Sequence, residues 1–164
     1  MSASSTSLEN QAYIAALWEQ PTLCLAFFGV QFQTEEGQKL YNDSGIQEEM
    51  FPALAAAEGL LLNREMMTQE GPVIMQYWRS HEDLNKWSRQ IPHTKWWQWL
   101  VDNVDQGVCF YHEIYQVKTA EAIYEPGTQP VGPAVFCSLH PVKTGEGKSK
   151  QRQQKFTEAA NRVE

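Results

Sequence analysis

Between Gly71 and Val117 lie almost all the side chains able to do chemistry: Tyr77, Arg79, His93, Tyr111, His112, Glu113 and Tyr115. These types suit proton transfer and anion stabilisation. His93 and His112 are candidate general bases, because imidazole titrates near neutrality. Arg79 and Glu113 read as a charged pair across the sheet. Inside an apolar cavity such a charge would place a substrate, or steady an anion formed by deprotonating it. The same residues equally suit a structural role, as a buried ion pair and hydrogen-bonded histidines. Tyr77, Tyr111 and Tyr115 could donate to a substrate oxygen or simply pack with satisfied hydroxyls. Trp96 and Trp99 share a helix face with Leu100. Trp87, Trp96, Trp97 and Trp99 are either core or a wall for a flat apolar ligand, and Phe28 and Trp78 are further candidates for contact with it. His81 and His140 are expected outside any site.

Strong cofactor signatures are missing. There is no GxGxxG, P-loop, HExxH or GxSxG, and no zinc-ligand spacing. A nucleotide cofactor and a metal are therefore not expected. His112 is the one histidine considered as a haem ligand, though no pattern compels it.

The elements that must position these residues follow from periodicity. Asn10–Glu19 carries Tyr13, Ile14, Leu17 and Trp18 at helical spacing, and Pro21 ends the segment. It is expected to be an amphipathic helix. Thr22–Phe32 is an apolar run with aromatics and reads as a first strand buried on both faces. Thr34-Glu35-Glu36 opens a helix, with a cap and acidic residues near its positive end. Helical sequence continues, broken near Ser44-Gly45, to Gly59. Leu60–Met67 and Val73–Arg79 read as the second and third strands. Ser80-x-x-Asp83 resembles a capping box for the next helix. Pro92 interrupts that helix, His93–Val104 resumes it, and Gly107 turns the chain into a fourth strand, Val108–Val117. The order β-α-β-β-α-β is the ferredoxin-like α+β arrangement. Strands apolar on both faces need a second cover, and a homodimer closing two sheets into one barrel supplies it.

Length favours one domain. The organisation expected is an N-terminal extension at 1–21, the α+β domain at 22–125, a Pro/Gly-rich arm at 126–142 and a polar tail at 143–164. Residues 1–9 are expected to be disordered. The arm could wrap a partner or lid a pocket. A formal charge of −7 argues against nucleic acid and anionic membranes as partners. The tail, with six basic and three acidic residues, reads as a solvated, partly helical extension. Cys24, Cys109 and Cys137 sit in apolar runs without CxxC spacing and read as buried free thiols. No secretory signal is visible, and the longest apolar run, Leu23–Val30, is too short to span a bilayer. A soluble, cytoplasmic protein is expected.

The stretch GPVIMQYWRSHEDL, His93 before a Trp pair, GVCFYHEIYQV and EAIYE (Glu121–Glu125) resemble the small ABM-like monooxygenases. That family includes the fumagillin-pathway monooxygenase. The chain keeps Gln76-Tyr77-Trp78-Arg79-Ser80, His93 and His112-Glu113, with Ile114 and Tyr111 where Thr and Trp are usual. The resemblance covers about residues 22–125. It implies a dimeric α+β barrel and an oxygenase without metal or flavin, in which the substrate, as a carbanion, supplies electrons to O₂. His93 or His112 would take the proton, while Arg79 and a tyrosine would steady the anion. An apolar polycyclic, polyketide or terpenoid intermediate of specialised metabolism is the expected substrate. The alternatives are a redox-neutral isomerase or cyclase, a haem lyase like the aldoxime dehydratases of related barrels, and a non-catalytic carrier of hydrophobic ligands.

Overall fold

The protein is described by a computed structural model covering residues 10–143 and 148–163. The segment expected to be disordered, 1–9, lies outside them. In chain order the elements are β1 (Tyr13–Ala15), β2 (Cys24–Phe32), α1 (Glu35–Asn42), α2 (Ile46–Ala55), β3 (Leu60–Met67), β4 (Pro72–Trp78), α3 (His81–Ser88), α4 (His93–Asp102), β5 (Val108–Gln116), β6 (Ile123–Tyr124), β7 (Leu139–Pro141) and α5 (Ser149–Ala160).

Residues 23–116 form one compact unit, an antiparallel sheet in the order β3-β4-β2-β5. This is the expected ferredoxin-like α+β arrangement, with helices between β2 and β3 and between β4 and β5. Alternation along β2 points Cys24, Ala26, Phe28 and Val30 at the helices, where they join two apolar clusters. One cluster packs Leu54, Trp78, Leu84 and Trp87 beneath α2 and α3. The other packs Tyr41, Ile46, Trp96, Leu100 and Val108 beneath α1, α2 and α4. The helices begin where the sequence places them. Thr34 caps α1, its Oγ1 accepting from Gly37 N at 2.9 Å. Ser80 caps α3 by accepting from Asp83 N at 3.1 Å, and its hydroxyl donates to Asp83 Oδ2 at 2.8 Å. Gly107 turns into β5 with φ +83°, where a Cβ would meet Thr34 Oγ1 at 2.5 Å. Pro92 follows a cis bond and lets α4 start afresh at His93.

The chain ends form a second unit, from Met1–Thr22 and Val117–Glu164. Among its described residues β1 is the middle strand of a three-stranded sheet, β6-β1-β7. The expected N-terminal helix is therefore a strand followed by a 3-10 turn, Leu17–Glu19. Tyr13, Ile14 and Ala15 are all buried, each paired with β7. Ladder bonds on both sides outweigh a helical spacing of only four apolar residues. The segment expected to end the α+β domain supplies β6 and the arm supplies β7, and both strands pair with β1. The tail is not simply solvated. Within it α5 buries Phe156 completely and Arg152 almost so, and it packs on the turn Leu17–Glu19. Arg152 Nε donates to Glu121 Oε2 at 2.6 Å. The three cysteines are free, and burial pushes the Cys24 thiol up to about 11 and the Cys137 thiol to about 12, Glu19 adding to the latter. Among the described residues no helix is long and apolar enough to cross a membrane.

Candidate active site

Between the sheet and the helices of residues 23–116 lies a cavity of about 60 Å³. That is room for a few water-sized molecules. On α4, His93, Trp96, Trp97 and Leu100 line it, at i, i+3, i+4 and i+7, so a single helix face serves the site. From α2 come Ile46, Met50 and Leu54, and from α3 come Leu84 and Trp87, again one face each. The floor is the sheet, through Phe28, Gln76 and His112. Tyr41 closes one end.

A second, more open bowl of about 320 Å³ is lined by Ser88, His93, Thr94, Trp97 and His112. His93, Trp97 and His112 thus border both spaces and form the partition between them. Their rings are in contact. His93 stacks on Trp97, centroids 6.1 Å apart and planes within 13°. His112 meets Trp97 edge-on at 5.8 Å and Phe28 at 6.3 Å. Phe110 supports Trp97 from below at 4.9 Å, and Trp87 supports His93 at 6.2 Å.

Both imidazoles are held below their ordinary titration range. For His93 the main cause is burial. The nearby His112 adds charge repulsion, and the Ser88 carbonyl opposes the shift. For His112 the cause is dehydration by its neighbours, although the residue as a whole is exposed. Both are consequently neutral, proton-accepting bases at neutral pH. Two buried polar atoms here meet no partner: His93 Nδ1 and Trp96 Nε1. Leaving such an atom unpaired costs about 1–3 kcal/mol, so a ligand that satisfies it gains that much. Gln76 is held by Trp78, whose Nε1 donates to Gln76 Oε1 at 2.9 Å. This fixes the amide so that its NH₂ is the end free to meet a ligand.

Of the residues singled out from sequence, Phe28, His93, Trp96, Trp97 and His112 line the cavity together. Trp78 lies beneath, fully buried, and acts through Gln76. The others are elsewhere. Arg79 does not form the expected pair with Glu113. It holds Asp83 with two bonds of 2.9 Å and lies 3.7 Å from Glu58, at the head of α3. Strand order explains this: β2 lies between β4 and β5, and Glu113 sits opposite Phe27, whose other neighbour is Met75, four residues before Arg79. Glu113 is exposed on the sheet face away from the helices and accepts from the Tyr115 hydroxyl at 2.9 Å. Tyr77, Tyr111 and Tyr115 share that outer face. The Tyr111 ring lies across Gly29, where a Cβ would come within 2.1 Å of it. Trp87, expected as core or aromatic wall, also lines the cavity, whereas Gln76, Tyr41 and Met50 were missed. A lone amide in an apolar strand was the available signal for Gln76.

The cavity does not fit a haem. A pocket for a ligand of ordinary cofactor or drug size measures about 300–1,000 Å³. The inner cavity beside His112 is far smaller, whereas the outer bowl that His112 also borders reaches the lower end of that range. Among the described residues no three His, Cys, Asp or Glu side chains converge as a metal site.

No curated protein sequence matches the chain. Among solved structures, an aldoxime dehydratase in complex with butyraldoxime superposes with a TM-score of 0.64 at 16% identity, over 92% of this chain and 44% of that one. A second aldoxime dehydratase gives 0.59 at 17% identity, over 96% and 47%. The chain therefore spans less than half the length of these dehydratases, and the likeness is one of fold. A putative antibiotic biosynthesis monooxygenase from Deinococcus radiodurans superposes at 0.44 with 13% identity, over 58% of this chain and 94% of that one. The family model described as Monooxygenase af470-like matches residues 38–132, which take in every residue of the cavity except Phe28. The match covers more than half of the sequence, and the chain belongs to that monooxygenase-like family.

Proposed function

We propose that the protein is a cofactor-independent monooxygenase acting on an apolar intermediate of specialised metabolism, of polycyclic, polyketide or terpenoid type. The observation that carries this is the pair of neutral imidazoles at the border of two apolar spaces, one of them with a buried, unpartnered Nδ1. The substrate sits in the outer bowl and offers an activated CH₂ to His93 or His112. The base takes one proton and leaves a carbanion. Gln76 and Trp96 are hydrogen-bond donors lining the inner cavity, available to negative charge that develops on that side of the partition. The carbanion gives its electrons to O₂, forming a C–O bond, and the peroxide takes the proton back. Loss of water then leaves a ketone, so CH₂ and O₂ become C=O and H₂O. The substrate supplies every electron. A homodimer, implied by the resemblance, belongs to the same reading and is measured by sedimentation.

The test uses an activated methylene compound such as anthrone as the probe, incubated with the protein under ¹⁸O₂ and without oxygen. One labelled oxygen in the product and no anaerobic turnover are expected. Conversion that proceeds equally well without oxygen sinks the oxygenase. It would favour the second reading, a redox-neutral isomerase or cyclase. Two adjacent neutral imidazoles suit that chemistry too, since one can take a proton while the other, once protonated, returns one.

A further inference from the structure

We propose that the inner cavity is a dioxygen site, filled from beside a substrate seated in the outer bowl. The inference rests on the oxygenase reading and gives its second substrate a place. Size is the first argument. A space of about 60 Å³ is too small for a polycyclic or terpenoid molecule, whereas the neighbouring 320 Å³ is of ligand size. A diatomic gas fits the smaller one. Chemistry is the second. Apart from the two histidines no acidic or basic side chain lines the cavity, and most of its wall is Leu, Ile, Met, Phe and Trp. An uncharged, non-polar gas loses little on leaving water for such a wall, whereas an ion would leave its hydration unreplaced. The third is the orphaned donor. Trp96 is 5% exposed, and its Nε1 has no partner. Neutral O₂ asks little of an N–H, but superoxide or peroxide accepts from it strongly. An unpartnered N–H on a residue lining the cavity is thus a donor for negative charge developed there rather than for neutral gas. The partition is the fourth. His93, Trp97 and His112 border both spaces, so the two spaces adjoin at the candidate bases, and a side-chain movement there would bring the carbanion and the oxygen together.

Dissolved oxygen is paramagnetic and serves as its own probe. Methyl relaxation is measured by NMR in the full chain under nitrogen and under oxygen pressure. Ile46, Leu54, Leu84 and Leu100 line the cavity; Ile14 is as deeply buried and does not. A several-fold greater enhancement at the four lining residues than at Ile14 is expected, and its loss in Leu100→Phe, which fills the space. Equal enhancement at Ile14, or none anywhere, overturns the proposal, as does an enhancement that survives in a folded Leu100→Phe. A cavity occupied by tightly held water gives the null result and counts against it. If Leu100→Phe does not fold, a crystal of the unaltered protein under xenon decides: xenon in the cavity supports the site, and xenon only elsewhere refutes it. Turnover without oxygen would sink the reaction assigned above and leave the relaxation map unchanged, so the two failures are told apart.

Discussion

At the scale of single residues, the site rests on His93 and His112 being neutral, and this has a sign that can be checked. Folding holds both imidazoles below their ordinary value near 6.5. Between that value and the depressed one, the unfolded chain binds protons that the folded chain refuses. Stability therefore falls as pH drops through this window and is fully present above it. Activity fails in the same direction, because a protonated imidazole cannot accept a proton. We expect an acid limb in the rate profile below the usual imidazole range. We also expect His93→Gln to lose less stability than the unaltered protein between about pH 7 and 5.5, by urea unfolding. Parallel losses would show that His93 is not the group responsible. The two histidines, Trp96 and Trp97 could be read from sequence because spacing alone puts 93, 96, 97 and 100 on one helix face. Arg79 and Glu113 could not. Alternation assigns a residue to a face of its own strand, but not which strand lies next to it. The intervening β2 separates the two charges.

At the scale of elements, the helix starts were the most legible features, because capping is local chemistry. Ser80 and Asp83 answer each other across one turn, and Arg79 extends that arrangement by holding the same carboxylate. The guanidinium thus fixes the head of α3, which carries Leu84 and Trp87 into the cavity wall. Its role is structural, and half of its side chain is open to solvent. Ser80→Ala should cost about 1 kcal/mol of stability, the usual loss for a cap. Arg79→Ala should cost less than that and leave turnover close to the unaltered rate, because an exposed ion pair is screened. Abolished turnover in a stably folded Arg79→Ala would mean that the guanidinium reaches the substrate, contrary to its placement. The first helix expected from the sequence fails for the opposite reason. Nothing local to Tyr13–Ala15 announces β6 and β7, whose partners lie more than a hundred residues away. A short apolar segment fits either period, and only the distant strands decide.

At the scale of the whole molecule, the chain ends matter more than their polarity suggests. Composition marks the tail as solvent-loving, with Phe156 its one aromatic residue. That ring is nonetheless completely buried, and the α5 helix it anchors lies on the turn Leu17–Glu19. One large apolar side chain is too little for a periodicity argument, yet it is enough to dock a helix when its neighbours are paired. Arg152, a turn earlier, is matched by Glu121, and Lys155 lies 4.9 Å over the Trp18 ring. Removing the ring should therefore be costly and removing the cation cheap. Phe156→Ala is expected to cost about 3–5 kcal/mol, the range for emptying a buried aromatic site. For Lys155→Ala, losing an exposed cation–π contact, about 0.5–1 kcal/mol is expected. Both are read by urea unfolding followed by circular dichroism. If Phe156→Ala were as mild as Lys155→Ala, the helix would be held by charge. Its stability should then fall with added salt, which a buried ring does not sense.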